Sequence, residues 1–177
     1  MLPEPGQPPD YRWGRYNAKL RLVAEAGVRQ VATIAAAPDW THDHPCAPIY
    51  PDRLDEFARF LTDLVNRYKK PPYYIKHWEM FNEPDYDGSE GNKVGYACYG
   101  NDGDQYAQML AVAYPAIKSA DPEATVLMGG IAHDRFTPDG PFLRYFPDEV
   151  MDNGGGVYID ALNIHYFQDF HAEWERW

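Results

Sequence analysis

Trp78-Glu79-Met80-Phe81-Asn82-Glu83-Pro84-Asp85 is the stretch on which the fold turns. It is aromatic and apolar as far as Phe81, then breaks into Asn-Glu-Pro, and Pro84 cannot donate to a strand ladder. Residues 73–81 therefore read as a buried strand that stops at Asn82-Glu83-Pro84. Upstream, Phe57, Phe60, Leu61, Leu64, Val65 and Tyr68 fall three or four positions apart, the spacing that places side chains on one helical stripe. Lys69-Lys70 suits the negative end of that helix dipole, and Pro71-Pro72 stops the helix before the strand begins.

Working outward, the same unit recurs. Residues 16–26 read as a helix ended by Gly27, followed by a β-branched run over 28–34. Pro38, Pro45, Pro48 and Pro51 mark a long loop before the central helix. After a second loop over 85–103, Leu110, Ala113 and Ile117 give a helix over about 104–119, with Pro115 expected to kink or weaken it. Asp121-Pro122 ends that unit, residues 125–128 read as a strand leading to Gly129-Gly130, 141–151 as a weaker helix, and 158–166 as a last strand. Helix and strand alternate, with long loops after strands and short ones before them. Such alternation indicates a parallel sheet, and the loop asymmetry agrees with a (β/α)8 barrel, whose active face is built by the loops that follow strands. A doubly wound open sheet is the alternative, although no GxGxxG or P-loop pattern supports it. A complete barrel needs about 250 residues. The 177 present make one domain, 1–177, that is expected to be a partial barrel truncated at both ends.

The stretch around Asn82-Glu83-Pro84 resembles the fourth strand of clan A glycoside hydrolases, where Asn-Glu-Pro presents the acid/base glutamate. The preceding Trp78-Glu79, the amphipathic helix before it and the segment from Ala120-Asp121-Pro122 to Gly129-Gly130 resemble it too. The likeness is nearest to the family 39 and family 5 style of barrel, runs over about 11–166, and implies strands three to six. It implies Glu83 as proton donor and Asn82 as the hydrogen-bonding partner of the sugar hydroxyl beside the reacting carbon. It also implies His165-Tyr166 near a nucleophile on the seventh strand, beyond this sequence. The implied activity is a retaining O-glycosidase on a β-linked sugar or polysaccharide.

The chemistry demands these residue types. Cleaving a glycoside expels a poor alkoxide leaving group from an oxocarbenium-like transition state, so it needs a carboxylic acid to give a proton and usually a second carboxylate opposite. Because successive strand residues point to opposite faces, bringing both Asn82 and Glu83 to bear requires a local distortion. For Glu83 the plain alternative is an N-cap or solvated loop carboxylate; for Glu79 it is a buried, paired structural carboxylate, the preferred reading there. Trp40 could stack on a sugar ring at the rim, or simply pack. Glu173 and Glu175 are late carboxylates poorly placed to replace the nucleophile. A non-catalytic carbohydrate-binding remnant using Trp40, Trp78, Asn82 and Tyr166 is the second functional class.

Composition removes other classes. The net charge of -11 opposes a phosphate backbone, so nucleic acid is not expected as a partner. No run of about 18 apolar residues exists to cross a membrane. His42-Asp43-His44 with Cys46, and the acidic loop Asp85, Asp87, Glu90, match no metal-site spacing and read as solvated loops, so no metal or cofactor is expected. The N-terminus shows no signal peptide, while the family resemblance favours export. Cys46 and Cys98 fall in loops expected side by side, as a disulfide or as two thiols. Exposed edges of a partial barrel predict self-association.

Overall fold

The computed structural model describes residues 10–35, 41–42, 47–88, 97–132, 136–137 and 141–165. Trp40, Asp43, His44, Cys46, Glu90, Tyr166, Glu173 and Glu175 lie outside the described residues. In chain order the elements are α1 (Gly14–Glu25), β1 (Val31–Ile34), α2 (Leu54–Tyr68), β2 (His77–Asn82), α3 (Gly103–Ala120), β3 (Thr125–Ala132), β4 (Phe136–Thr137), β5 (Phe142–Leu143), α4 (Phe146–Asp152) and β6 (Ile164–His165).

β1, β2, β3 and β6 form one four-stranded sheet in that order, every pairing parallel. β4 and β5 make a small separate pair inside the β3 to β6 connection. The order runs without the reversal that marks a doubly wound sheet. The helices also stand in a row: Asn17 of α1 accepts from Tyr68 and Arg67 of α2, α2 packs on α3, and α3 on α4. Helices on a single face of a sequentially ordered parallel sheet are the arrangement of a barrel wall.

Register shows which residues meet those helices. Ala32, Trp78 and Val126 lie in one row and Ile34, Met80 and Met128 in another, and these bury against Phe57, Leu61, Val65, Tyr106, Leu110 and Ile117. Each fully buried large apolar side chain contributes about 1.5–3 kcal/mol. The opposite face carries Val31, His77 and Thr125, then Thr33, Glu79 and Leu127. Val31 is 54% exposed there, and of these six only Glu79 is buried. Trp78 is therefore a core residue, 1% exposed, and is removed from any sugar-stacking role.

Several boundaries differ from expectation for local reasons. β2 begins at His77 because residues 73–75 close the end of α2: Tyr73 and Tyr74 donate to Lys70 O, and Ile75 donates to Tyr68 O. α3 continues across Pro115. β3 runs on through Gly129-Gly130 to Ala132. The expected strand over 158–166 shrinks to Ile164–His165, because a 3-10 turn occupies Gly155–Tyr158 and Asp160 serves β3 by its side chain. Asp160 Oδ2 accepts from Val126 N at 2.9 Å and from Lys118, and Oδ1 accepts from Tyr114. Burial alone would raise the Asp160 pKa, but the hydrogen bonds, led by that from Lys118, hold it below the usual aspartate value.

Candidate active site

The parallel ladder of β2 runs to Met80↔Met128 and resumes in the same register at Asn82↔Gly130, with no ladder pair at Phe81. Phe81 has φ +68° and Glu83 φ +45°, a left-handed backbone that non-glycine residues adopt only where the surroundings enforce it. A local distortion was expected at this strand end, and the backbone has one. Four contacts enforce it. Phe81 stacks on Phe57 with ring centroids 5.9 Å apart. Glu83 N donates to Gly130 O at 3.0 Å, and Tyr106 OH donates to Met80 O while accepting from Gly129 N. Residues 97–99 then return alongside, with Ala97 N on Asn82 O and Tyr99 N on Pro84 O.

Glu83 thus sits at the C-terminal end of β2, only 7% exposed, with its Oε1 2.9 Å from His165 Nδ1. It is neither a solvated loop carboxylate nor a helix cap. His165 reaches it across β3 because Gly130 has no side chain; a Cβ there would overlap the imidazole. Glu83 is thus one partner of His165. Asn82 is half-buried at the end of the strand, opposite Gly130.

Two further buried carboxyl groups lie on the same strand and the turn that follows it. Glu79, 5% exposed, accepts from Thr33 Oγ1 of β1 on Oε2, and from Gly130 N and Asn163 Nδ2 on Oε1. Glu79 is buried as expected, but its partners here are neutral donors rather than the paired charge that was expected. Asp85 departs from expectation. It is fully buried, its carboxylate accepts from Ala132 N at 3.1 Å, and its carbonyl accepts from Leu143 N. Burial pushes its pKa up to about 7, with a smaller contribution from the neighbouring Glu83 charge. Asp85 binds the loop after β2 to the end of β3, over a small apolar cluster of Tyr86, Cys98, Ala132 and Phe142. Cys98 is disulfide-bonded, which leaves Cys46 as the other cysteine of the chain.

Sequence reasoning overlooked Thr33, Gly130 and Asn163 as parts of this site. The adjacent glycines at a strand end and the Asn163-x-His165 spacing, which sets both side chains on one face, were the available signals. Among the described residues, no group of three or more His, Cys, Asp or Glu is placed to hold a metal, and no helix is long and apolar enough to cross a membrane.

No protein-family model matches the sequence, and no curated protein matches it. Solved structures do share its fold. A glucosidase from Croceicoccus marinus aligns with a TM-score of 0.64 at 22% identity, over 93% of this chain and 32% of its own. A family 39 glycoside hydrolase from the gut symbiont Bacteroides cellulosilyticus aligns with 0.54 at 20% identity, over 90% and 29%. The catalytic domain of GH30 xylanase C from Talaromyces cellulolyticus aligns with 0.69 at 16% identity, over 94% and 40%. The chain spans roughly a third of these proteins, 32%, 29% and 40% respectively. The likeness establishes the fold: part of a TIM barrel, with parallel strands alternating with helices.

Proposed function

We propose that this chain carries the proton-donor part of a glycoside hydrolase barrel, a retaining O-glycosidase acting on a β-linked sugar or polysaccharide. One observation carries the reading: a buried carboxyl, Glu83, is held at the C-terminal end of a parallel strand against an imidazole 2.9 Å away. In (β/α)8 enzymes catalytic groups stand at that end of the strands. Glu83 gives its proton to the departing glycosidic oxygen and afterwards takes one from water. His165 orients the carboxyl through its Nδ1 contact. Asn82 hydrogen-bonds the hydroxyl next to the reacting carbon, Trp40 and Tyr166 add contacts to the sugar, and the nucleophile belongs to strands beyond this sequence.

The test is hydrolysis of aryl β-glucosides and β-xylosides by this chain, by a longer protein supplying the remaining strands, and by the Glu83→Gln form of each. We expect activity in the longer protein, reduced about 10²–10⁴-fold by Glu83→Gln, the range for losing a general acid. Activity that survives the substitution would sink the assignment. Saturable sugar binding with no turnover in the longer protein would favour the carbohydrate-binding remnant instead.

A further inference from the structure

Two supports of Glu83 lead back to one side chain. The Glu83 N–H is held by the carbonyl of Gly130, and the N–H of Gly130 is held by Glu79 Oε1 at 3.1 Å. The Glu83 carboxyl is held by His165, which stands two residues beyond Asn163. Asn163 donates its side-chain amide to the same Oε1 of Glu79, while its carbonyl accepts from Ile131 N of β3. The other oxygen of Glu79 is fixed by the Thr33 hydroxyl from β1. A carboxylate 5% exposed and held by neutral donors is costly to bury, so simple packing does not account for it.

We propose that Glu79 is the positioning residue of this site: as a shared acceptor for Gly130 and Asn163, it sets the backbone and the imidazole that together aim the Glu83 carboxyl. The proposal rests on the assignment of Glu83 above, but the geometry it describes can be read without catalysis. A carboxylate that merely tied β1 to β3 would leave the His165 ring where it is when the acceptor is removed.

The experiment uses this chain labelled with 15N in histidine, with the His165 ring resonances identified by their loss in His165→Gln. Glu83→Gln supplies the reference for a ring that has lost its carboxylate partner. Glu79→Ala, judged folded by circular dichroism, is expected to move the His165 resonances to the Glu83→Gln positions. Glu79→Gln is expected to restore the parent spectrum, because its amide oxygen still accepts from Gly130 and Asn163 and the Thr33 hydroxyl can turn to accept from its amide nitrogen. Unchanged His165 resonances in folded Glu79→Ala would overturn the proposal, as would a Glu79→Gln spectrum displaced as far as that of Glu79→Ala. Should Glu79→Ala fail to fold, Asn163→Ala carries the same test, since it removes one arm and leaves the carboxylate in place; no movement of the ring there overturns it. Because the signal reports geometry, a negative result leaves the proposed reaction standing, and an inactive longer enzyme leaves the positioning intact.

Discussion

Gly130 is where three requirements meet at one residue: its N–H serves Glu79, its carbonyl serves Glu83, and its missing side chain admits His165. Gly130→Ala should force the ring away and destabilise the chain by about 1–3 kcal/mol, the usual cost of overpacking, measurable as a lowered urea midpoint. Asp85 makes a prediction of different form. Its carboxyl titrates at about 7 when folded and near 3.8 when exposed, so the folded pKa is raised. Below 3.8 the group is protonated in both states. Between 3.8 and about 7 only the unfolded chain ionises, and stability falls as pH rises, by on the order of 4 kcal/mol over that window, before levelling off. Asp85→Asn should flatten this decline between pH 4 and 7, as followed by urea denaturation at a series of pH values. A decline of equal depth in the variant would assign it to another group.

At the scale of elements, α3 is bound to the sheet at its weakest place. Tyr106 bridges Met80 O and Gly129 N where the ladder skips Phe81, and burial pushes its pKa far above the ordinary tyrosine value. Tyr106→Phe should cost about 1–3 kcal/mol by orphaning a buried amide, seen as a drop in Tm with secondary structure retained. For α2, Leu61→Ala should cost about 2–5 kcal/mol, since Leu61 is 0% exposed at the centre of the apolar stripe. α2 was legible because its period is local. The last strand was legible but its start was not, since the contacts ahead of β6 are made by the Asp160 side chain and an isolated bridge at Ala161, which no periodicity announces.

Taken whole, the molecule has an apolar helix-facing core and a sheet face opposite it that is incompletely covered. Val31 at one edge and Leu162 and Ile164 near the other are 54%, 52% and 41% exposed. Parallel strands with exposed edges and apolar surface favour pairing with another sheet. We expect concentration-dependent self-association in sedimentation velocity, strengthened by salt because the net charge of -11 opposes contact between copies. A single monomeric species at all concentrations and salts would count against it.

The sequence by itself determined the alternation of helix and strand, the long loops after strands and the position of Asn82-Glu83-Pro84 at a strand end. Each of these is written in spacing, β-branching and proline, all local properties of the chain. Only the tertiary structure decided what surrounds Glu83. That His165 lies against it, that Asp85 is buried rather than solvated, and that Glu79 gathers Thr33, Gly130 and Asn163 all follow from the parallel register of strands far apart in sequence. A buried carboxylate and a solvated one are the same letter, and its role is fixed only by the donors that folding brings within about 3 Å of it.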